Sequence, residues 1–474
     1  MNQYKWAKFL TLVVLLFSGG ELFSQKIPVI KASGKIVDIR IGQELRKSNW
    51  NLEPSIRPDV FDAYVPTAGK SVTFITDQDS IRFNVKPGDY HQFIVLMNGK
   101  DSAFTAIKGI LDVPRAKFSE VYKKQHDGKT FVEIPEVYEL INVVIALTAE
   151  GKKENGLVRK NNSYYDEVLK WYDPFSSEPV VAAVNKEIEN PDNYHAAKME
   201  AYAFEFQNYQ IRQSKVYDRI GFSNTNNILS LIPALQEFAD KSKFLDFYAR
   251  HQPYYNGLIR SYRDSVGVVE MQKWLVKNFP STRYDCFKII FSPLVSNNQS
   301  ATRFEYDGFK EAQAHVNFPF RKKQDLQSLS EEALFVRDGN IVFTELNHAF
   351  INPESEKPEF AEKIQSAFTN MTIWNDPKKP ARSYNDAYSS FNEYMNWALV
   401  CLRYADFAPK SEQDILIQQT EKMMVESRGF IKFAEFDQFL LKLYKNRKKG
   451  QVLADLYPEI VVWFEKNKQA DSMK

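Results

Sequence analysis

The chain has 474 residues, 44% hydrophobic and 26% charged, with a formal net charge of +2. That length allows two or three domains, and the balance suits a globular protein with a real core. Near-neutral charge argues against a nucleic-acid or acidic-polymer partner, and two cysteines, Cys286 and Cys401, are too few for a disulfide framework.

In chain order, Lys5 and Lys8 precede an uncharged apolar run from Phe9 to Phe17, and Ser24 follows as a small residue at a cleavage point. A positive start, a short apolar core and a small-residue exit predict a secretory signal peptide over residues 1–24. The run is shorter than the roughly 20 residues that span a bilayer; the competing reading is an uncleaved anchor. No second run is long enough to cross a membrane, so the mature chain is expected to lack a transmembrane segment and to be exported, to the periplasm or beyond.

Residues 31–112 carry a strand pattern. Val37, Ile39 and Ile41 alternate with polar residues, as do Ile81, Phe83 and Val85. Pro87-Gly88-Asp89 reads as a turn, and Asn98-Gly99 as a tight hairpin between Phe93–Met97 and Phe104–Ile107. The pattern predicts a small β sandwich or sheet, used as an accessory domain.

The texture changes after Pro114. Pro135 suits the first residue of a helix, and Val137, Leu140, Ile141, Val144 and Leu147 follow helical spacing. Ser163 and Asp166 resemble a capping box for a helix from Tyr164 to Trp171. Further helices are expected over 194–213, 238–250, 253–264 and 268–279. Cys286 to Leu294 and Phe304 to Tyr306 read as strands. Helices return over 330–350, 359–368, 386–404, 411–426, 433–444 and 452–466. The fold class expected is α+β: a β-rich domain over 31–112, a mainly helical domain with a small sheet over 131–405, and a helical extension over 406–474.

One stretch carries candidate chemistry: Phe343-Thr344-Glu345-Leu346-Asn347-His348-Ala349-Phe350-Ile351-Asn352-Pro353. In an HExxH helix two histidines one turn apart bind zinc and the glutamate activates a zinc-bound water. Here Glu345 and His348 hold those places, but Thr344 stands where the first histidine belongs, and a neutral hydroxyl is a poor zinc ligand. Asn352-Pro353 is expected to stop the helix. Glu393, in an aromatic and aliphatic helix, is a candidate third ligand: a buried carboxylate needs a partner. The alternative is an exposed Glu393 on an amphipathic helix.

These residues resemble a family of exported bacterial proteins, a domain of unknown function with zincin-like metallopeptidase character, whose typical motif is similar to HEFxHxFxNP. Matching positions are Glu345, His348, Phe350, Asn352 and Pro353. Ile134 to Leu140, Lys288 to Leu294 and Tyr254 to Gly257 look similar to the same group, so the resemblance covers about Phe131 to Tyr404. It implies a helical zincin-like domain with Glu345 as catalytic base and His348 and Glu393 as zinc ligands. Thr344 removes one ligand; a substitute could come from His315 if the fold brings it close.

Three functions compete. A metallopeptidase with an altered ligand set would hold zinc and cleave peptides. A pseudoenzyme would keep the scaffold as a cell-envelope binding module for a peptide or protein. A helical scaffold in which TExxH is coincidence would leave these side chains apart. His251 and His195, among aromatics, read as structural, and Lys445–Lys449 as a solvated helix end.

Overall fold

Strict alternation builds the first of two bodies, which ends at Val113. In the computed structural model residues 27–469 are described, apart from 222, 298 and 322–327; the expected signal peptide, 1–24, lies outside them. One four-stranded sheet has the order β1-β7-β8-β4, from β1 (Val29–Ala32), β4 (Asp59–Val65), β7 (Tyr90–Met97) and β8 (Asp101–Leu111). The other has the order β3-β2-β5-β6, from β2 (Ile36–Ile41), β3 (Glu44–Asn51), β5 (Lys70–Ile75) and β6 (Ser80–Val85). Val37, Ile39, Ile41, Val72 and Phe74 of the second sheet share one buried cluster with Phe93, Val95, Met97 and Ile107 of the first, so the body is a β sandwich. The rings of Phe74 and Phe93 meet edge-on across it at 4.8 Å. Asn98 and Gly99 both have positive φ, 50° and 68°, the backbone that a two-residue hairpin with right-handed twist requires. Gly109 permits a close approach, because a Cβ there would lie 1.9 Å from the Lys86 carbonyl oxygen.

The second body, Pro114–Lys474, is mainly helical and has one contiguous core running from Ala116 to Phe464. A single core spans both the 131–405 stretch and the helices after residue 405, so the expected extension belongs to the same compact unit. Its sheet has the order β13-β14-β12-β9, from β9 (Lys129–Glu133), β12 (Cys286–Ser292), β13 (Ser300–Tyr306) and β14 (Phe309–Asn317). β12 runs parallel to both β9 and β14, and β13 closes one edge antiparallel. Every residue of β12 is buried, as strands covered on both faces must be. β14 escaped the sequence reading because Glu311, Gln313 and His315 give it a half-polar texture, yet all three are buried.

Helix Glu136–Leu147 begins one residue after Pro135, which serves as its N-cap. The expected Ser163–Asp166 capping box is not the cap used: Asn162 accepts the Tyr165 amide at 2.8 Å, and the helix is Ser163–Tyr172. The helix expected over 194–213 is half wrong. Helix Pro191–Glu200 gives way to a hairpin, β10 (Phe204–Gln207) and β11 (Gln210–Gln213), turned at Asn208 and Tyr209 with φ of 50° and 65°. The alternation in Phe204-Glu205-Phe206 carried that signal. The break expected before Pro253 lies instead at Lys243, whose φ is 54°, and helix Phe244–Ser265 carries Pro253 inside it. Likewise the stretch 330–350 is two helices, Glu331–Asp338 and Asn340–Ser355, parted at Gly339, and the second runs through Pro353 rather than stopping before it. Proline removes one backbone donor, and burial of Phe350 and Ile351 on that helix outweighs the loss. Cys286 and Cys401 are both buried free thiols.

Candidate functional site

Helix Asn340–Ser355 packs against β13 and β14 on one side and against helix Ala387–Phe407 on another. Its 3.6-residue period places Glu345 and His348 one turn apart on one face. Helix Ala387–Phe407 is amphipathic only weakly, and its Glu393 is 4% exposed. The exposed-glutamate alternative for Glu393 is therefore wrong. The two helices bring His348 and Glu393 together: Nε2 of the imidazole lies 3.8 Å from Glu393 Oε2.

That gap is bridged by protein donors. Asn396 Nδ2 donates to His348 Nε2 at 2.9 Å and to Glu393 Oε2 at 3.3 Å. Glu393 Oε1 accepts Trp397 Nε1 at 3.0 Å and pairs with Arg428 Nη1 at 2.7 Å. Arg428 closes a π turn, Met423–Arg428, that ends in the left-handed Gly429. Its guanidinium also donates to Tyr384 Oη at 2.9 Å and lies 5.2–5.7 Å from the ring centres of Phe430, Trp397 and Tyr384. With Nε2 accepting, His348 carries its proton on Nδ1, which faces Asn352 Oδ1 at 3.3 Å. That tautomer leaves Nε2 as a lone-pair donor, as a metal-bound histidine has it. Thr344 does not turn toward the pair; its hydroxyl donates to Ile341 O at 2.8 Å.

Charges follow from burial. Burial pushes the Glu345 carboxyl up to about 8, with the negative Glu393 adding to it and Lys198, Thr344 and Arg428 opposing. The side chain keeps a partly exposed edge. Burial would push Glu393 up too, but Arg428, His348 and the hydrogen bonds from Arg428 and Asn396 outweigh it and hold the carboxyl below its usual range. Burial lowers His348, against the pull of Glu393, so the imidazole is neutral. Lys198, on helix Pro191–Glu200, is fully buried and brought down to about 7, with Glu345 resisting.

His315 is fully buried on β14, its Nε2 at 3.1 Å from Gln313 Oε1. Burial first and then Lys198 lower it to about 3. It does not supply the missing ligand: among the described residues no group of three or more His, Cys, Asp or Glu side chains is arranged to hold a metal ion. A catalytic zinc needs three protein ligands. The donors here are one imidazole and one carboxylate, that carboxylate is paired to a guanidinium, and the threonine hydroxyl is spent on its own helix. The side chains as arranged do not fit a zinc ion. His251 is structural, bound to Phe247 O at 2.8 Å and Glu167 Oε2 at 2.9 Å.

Asn396 and Trp397 sit three and four residues after Glu393, so their contacts were legible from helical spacing. Arg428 and Lys198 were not: no local pattern ties either to the TExxH segment. Comparison with protein-family models, with curated proteins and with solved structures finds no match for this chain.

Proposed function

We propose that this chain is an exported bacterial cell-envelope protein that keeps a zincin-like scaffold as a metal-free module binding a peptide or protein, its TExxH segment a degenerate peptidase motif. The observation that supports it is the ion pair between Arg428 and Glu393, with Asn396 seated between Glu393 and His348. A fixed guanidinium supplies the positive charge that the buried carboxylate needs, and it repels a second cation from the same place. Glu345 and His348, the latter 23% exposed at its side chain, are only partly buried and leave a polar edge beside these buried partners for a ligand to contact. No helix among the described residues is long and apolar enough to cross a membrane.

The alternative, an active zinc metallopeptidase with Glu345 as general base, draws support from the His348 tautomer. Zinc analysis of the mature protein, after incubation with zinc and gel filtration, separates the two. The binding-module reading expects far less than one zinc per chain and no change in unfolding on chelation. Stoichiometric zinc, with peptide hydrolysis that Glu345→Gln abolishes, establishes the peptidase instead. Export is tested by the N-terminus of the protein recovered from a bacterial envelope fraction, expected at Gln25.

A further inference from the structure

A pocket of about 780 Å³ opens at the C-terminal end of helix Ala387–Phe407, and none of Glu345, His348 and Glu393 lines it. Arg403 lines it, ten residues beyond Glu393 on helix Ala387–Phe407, a separation of about 15 Å along the axis. The side chain is 3% exposed. Its Nη1 donates to Val336 O at 2.7 Å and its guanidinium packs over the Phe343 ring at 5.4 Å. Among the described residues no carboxylate comes within ion-pair distance of it. Burial draws its pKa down to about 10, with Tyr404 and then the charge of Glu270 acting the other way.

Two explanations meet here. Val336 lies in the last turn of helix Glu331–Asp338, and a cation at a helix C-terminus is attracted by the unpaired carbonyls. That accounts for one of five N–H donors. It does not account for a buried guanidinium placed on the wall of a pocket, where a ligand carboxylate could take two parallel bonds from it. The rest of the lining says what else such a ligand carries. Phe318, Phe335 and Phe407 form apolar walls, and Phe407 is 47% exposed with nothing covering it among the described residues. Glu270 and Glu332, both exposed, also line the pocket and make no ion pair among the described residues.

We infer that this pocket binds the C-terminal end of a short peptide: its carboxylate on Arg403, its apolar last side chain among the phenylalanines, and a basic group before it against Glu270 and Glu332. The volume suits a ligand of two or three residues. The inference does not depend on how Glu393 is neutralised, since a cation at Glu393 leaves Arg403 where it is.

Calorimetric titration of the full mature chain with the dipeptide Lys-Phe and with its C-terminal amide tests it. The acid is expected to bind, with the amide weaker by at least about tenfold for loss of the charge-assisted pair. Arg403→Gln should abolish binding of the acid. Phe407→Ala and Glu270→Gln, on exposed side chains that leave folding intact, should each weaken it several-fold. Equal affinity for acid and amide, wild-type affinity in the Phe407→Ala and Glu270→Gln variants, or no heat at about 10 mM dipeptide overturns the inference, even if Arg403→Gln does not fold.

Discussion

Replacing Arg428 by methionine keeps the aliphatic stem and removes the charge, and the consequence can be worked from the contacts of Glu393. That carboxylate is 5% exposed at its side chain and loses a cation 2.7 Å away. It keeps the Trp397 and Asn396 donors, at 3.0 and 3.3 Å, which are neutral and satisfy hydrogen bonding but not charge. Breaking a buried pair by removing one partner costs about 3–5 kcal/mol, or about 4–7 °C in melting temperature for a body of this size. The deficit should depend on pH. In the native chain Arg428, His348 and the hydrogen bonds hold Glu393 below its ordinary value against burial. Without Arg428 the carboxyl rises above that value, so the variant regains stability as pH falls and Glu393 takes up a proton. Denaturant unfolding followed by tryptophan fluorescence at pH 8 and pH 5 reads both effects. The double variant Arg428→Met/Glu393→Gln should recover at least half of the loss, because no lone charge stays buried. A deficit under about 1 kcal/mol that is the same at both pH values would refute the claim that Arg428 neutralises Glu393.

Folded Glu345 holds its proton up to about 8, whereas the unfolded chain releases it near about 4.3. Stability therefore declines as pH rises from about 5 to about 8, and Glu345→Gln should remove about 2 kcal/mol of that decline after screening at the exposed edge; an unchanged pH slope argues against the raised carboxyl. His315 works in the opposite direction. Folded, it stays neutral down to about 3, while unfolded it protonates near about 6.5, so it withdraws about 2 kcal/mol as pH falls to about 5. His315→Gln should flatten the acid limb of the stability curve by that amount, measured by the same unfolding assay. Finally, Thr344→His with Arg428→Leu adds a third ligand and frees the carboxylate, so the double variant should hold one zinc per chain by mass analysis while Thr344→His alone holds little. Equal zinc in the two shows that Arg428 does not guard the site.

The β sandwich and the positions of most helices were legible because each rests on a repeat of two or of about 3.6 residues. Val37, Ile39 and Ile41 face one core, and Glu345 and His348 share a helix face, for purely local reasons. The failures are as instructive. Pro253 and Pro353 both lie inside helices, since tertiary burial of their neighbours overrides the missing donor. β14 was hidden because its polar residues are buried by layers that no single strand announces.

Local spacing in the sequence determines which side chains a helix presents together, and with them the shared face of Glu345 and His348 beside Thr344. Whether a carboxylate from another helix meets that face, and what charge it meets there, was decided only by the packed structure. Glu393 reaches His348 across 45 residues and Arg428 reaches Glu393 across 35 more. The reason is that desolvation and Coulomb attraction depend on everything folded around a group, not on its neighbours in the chain.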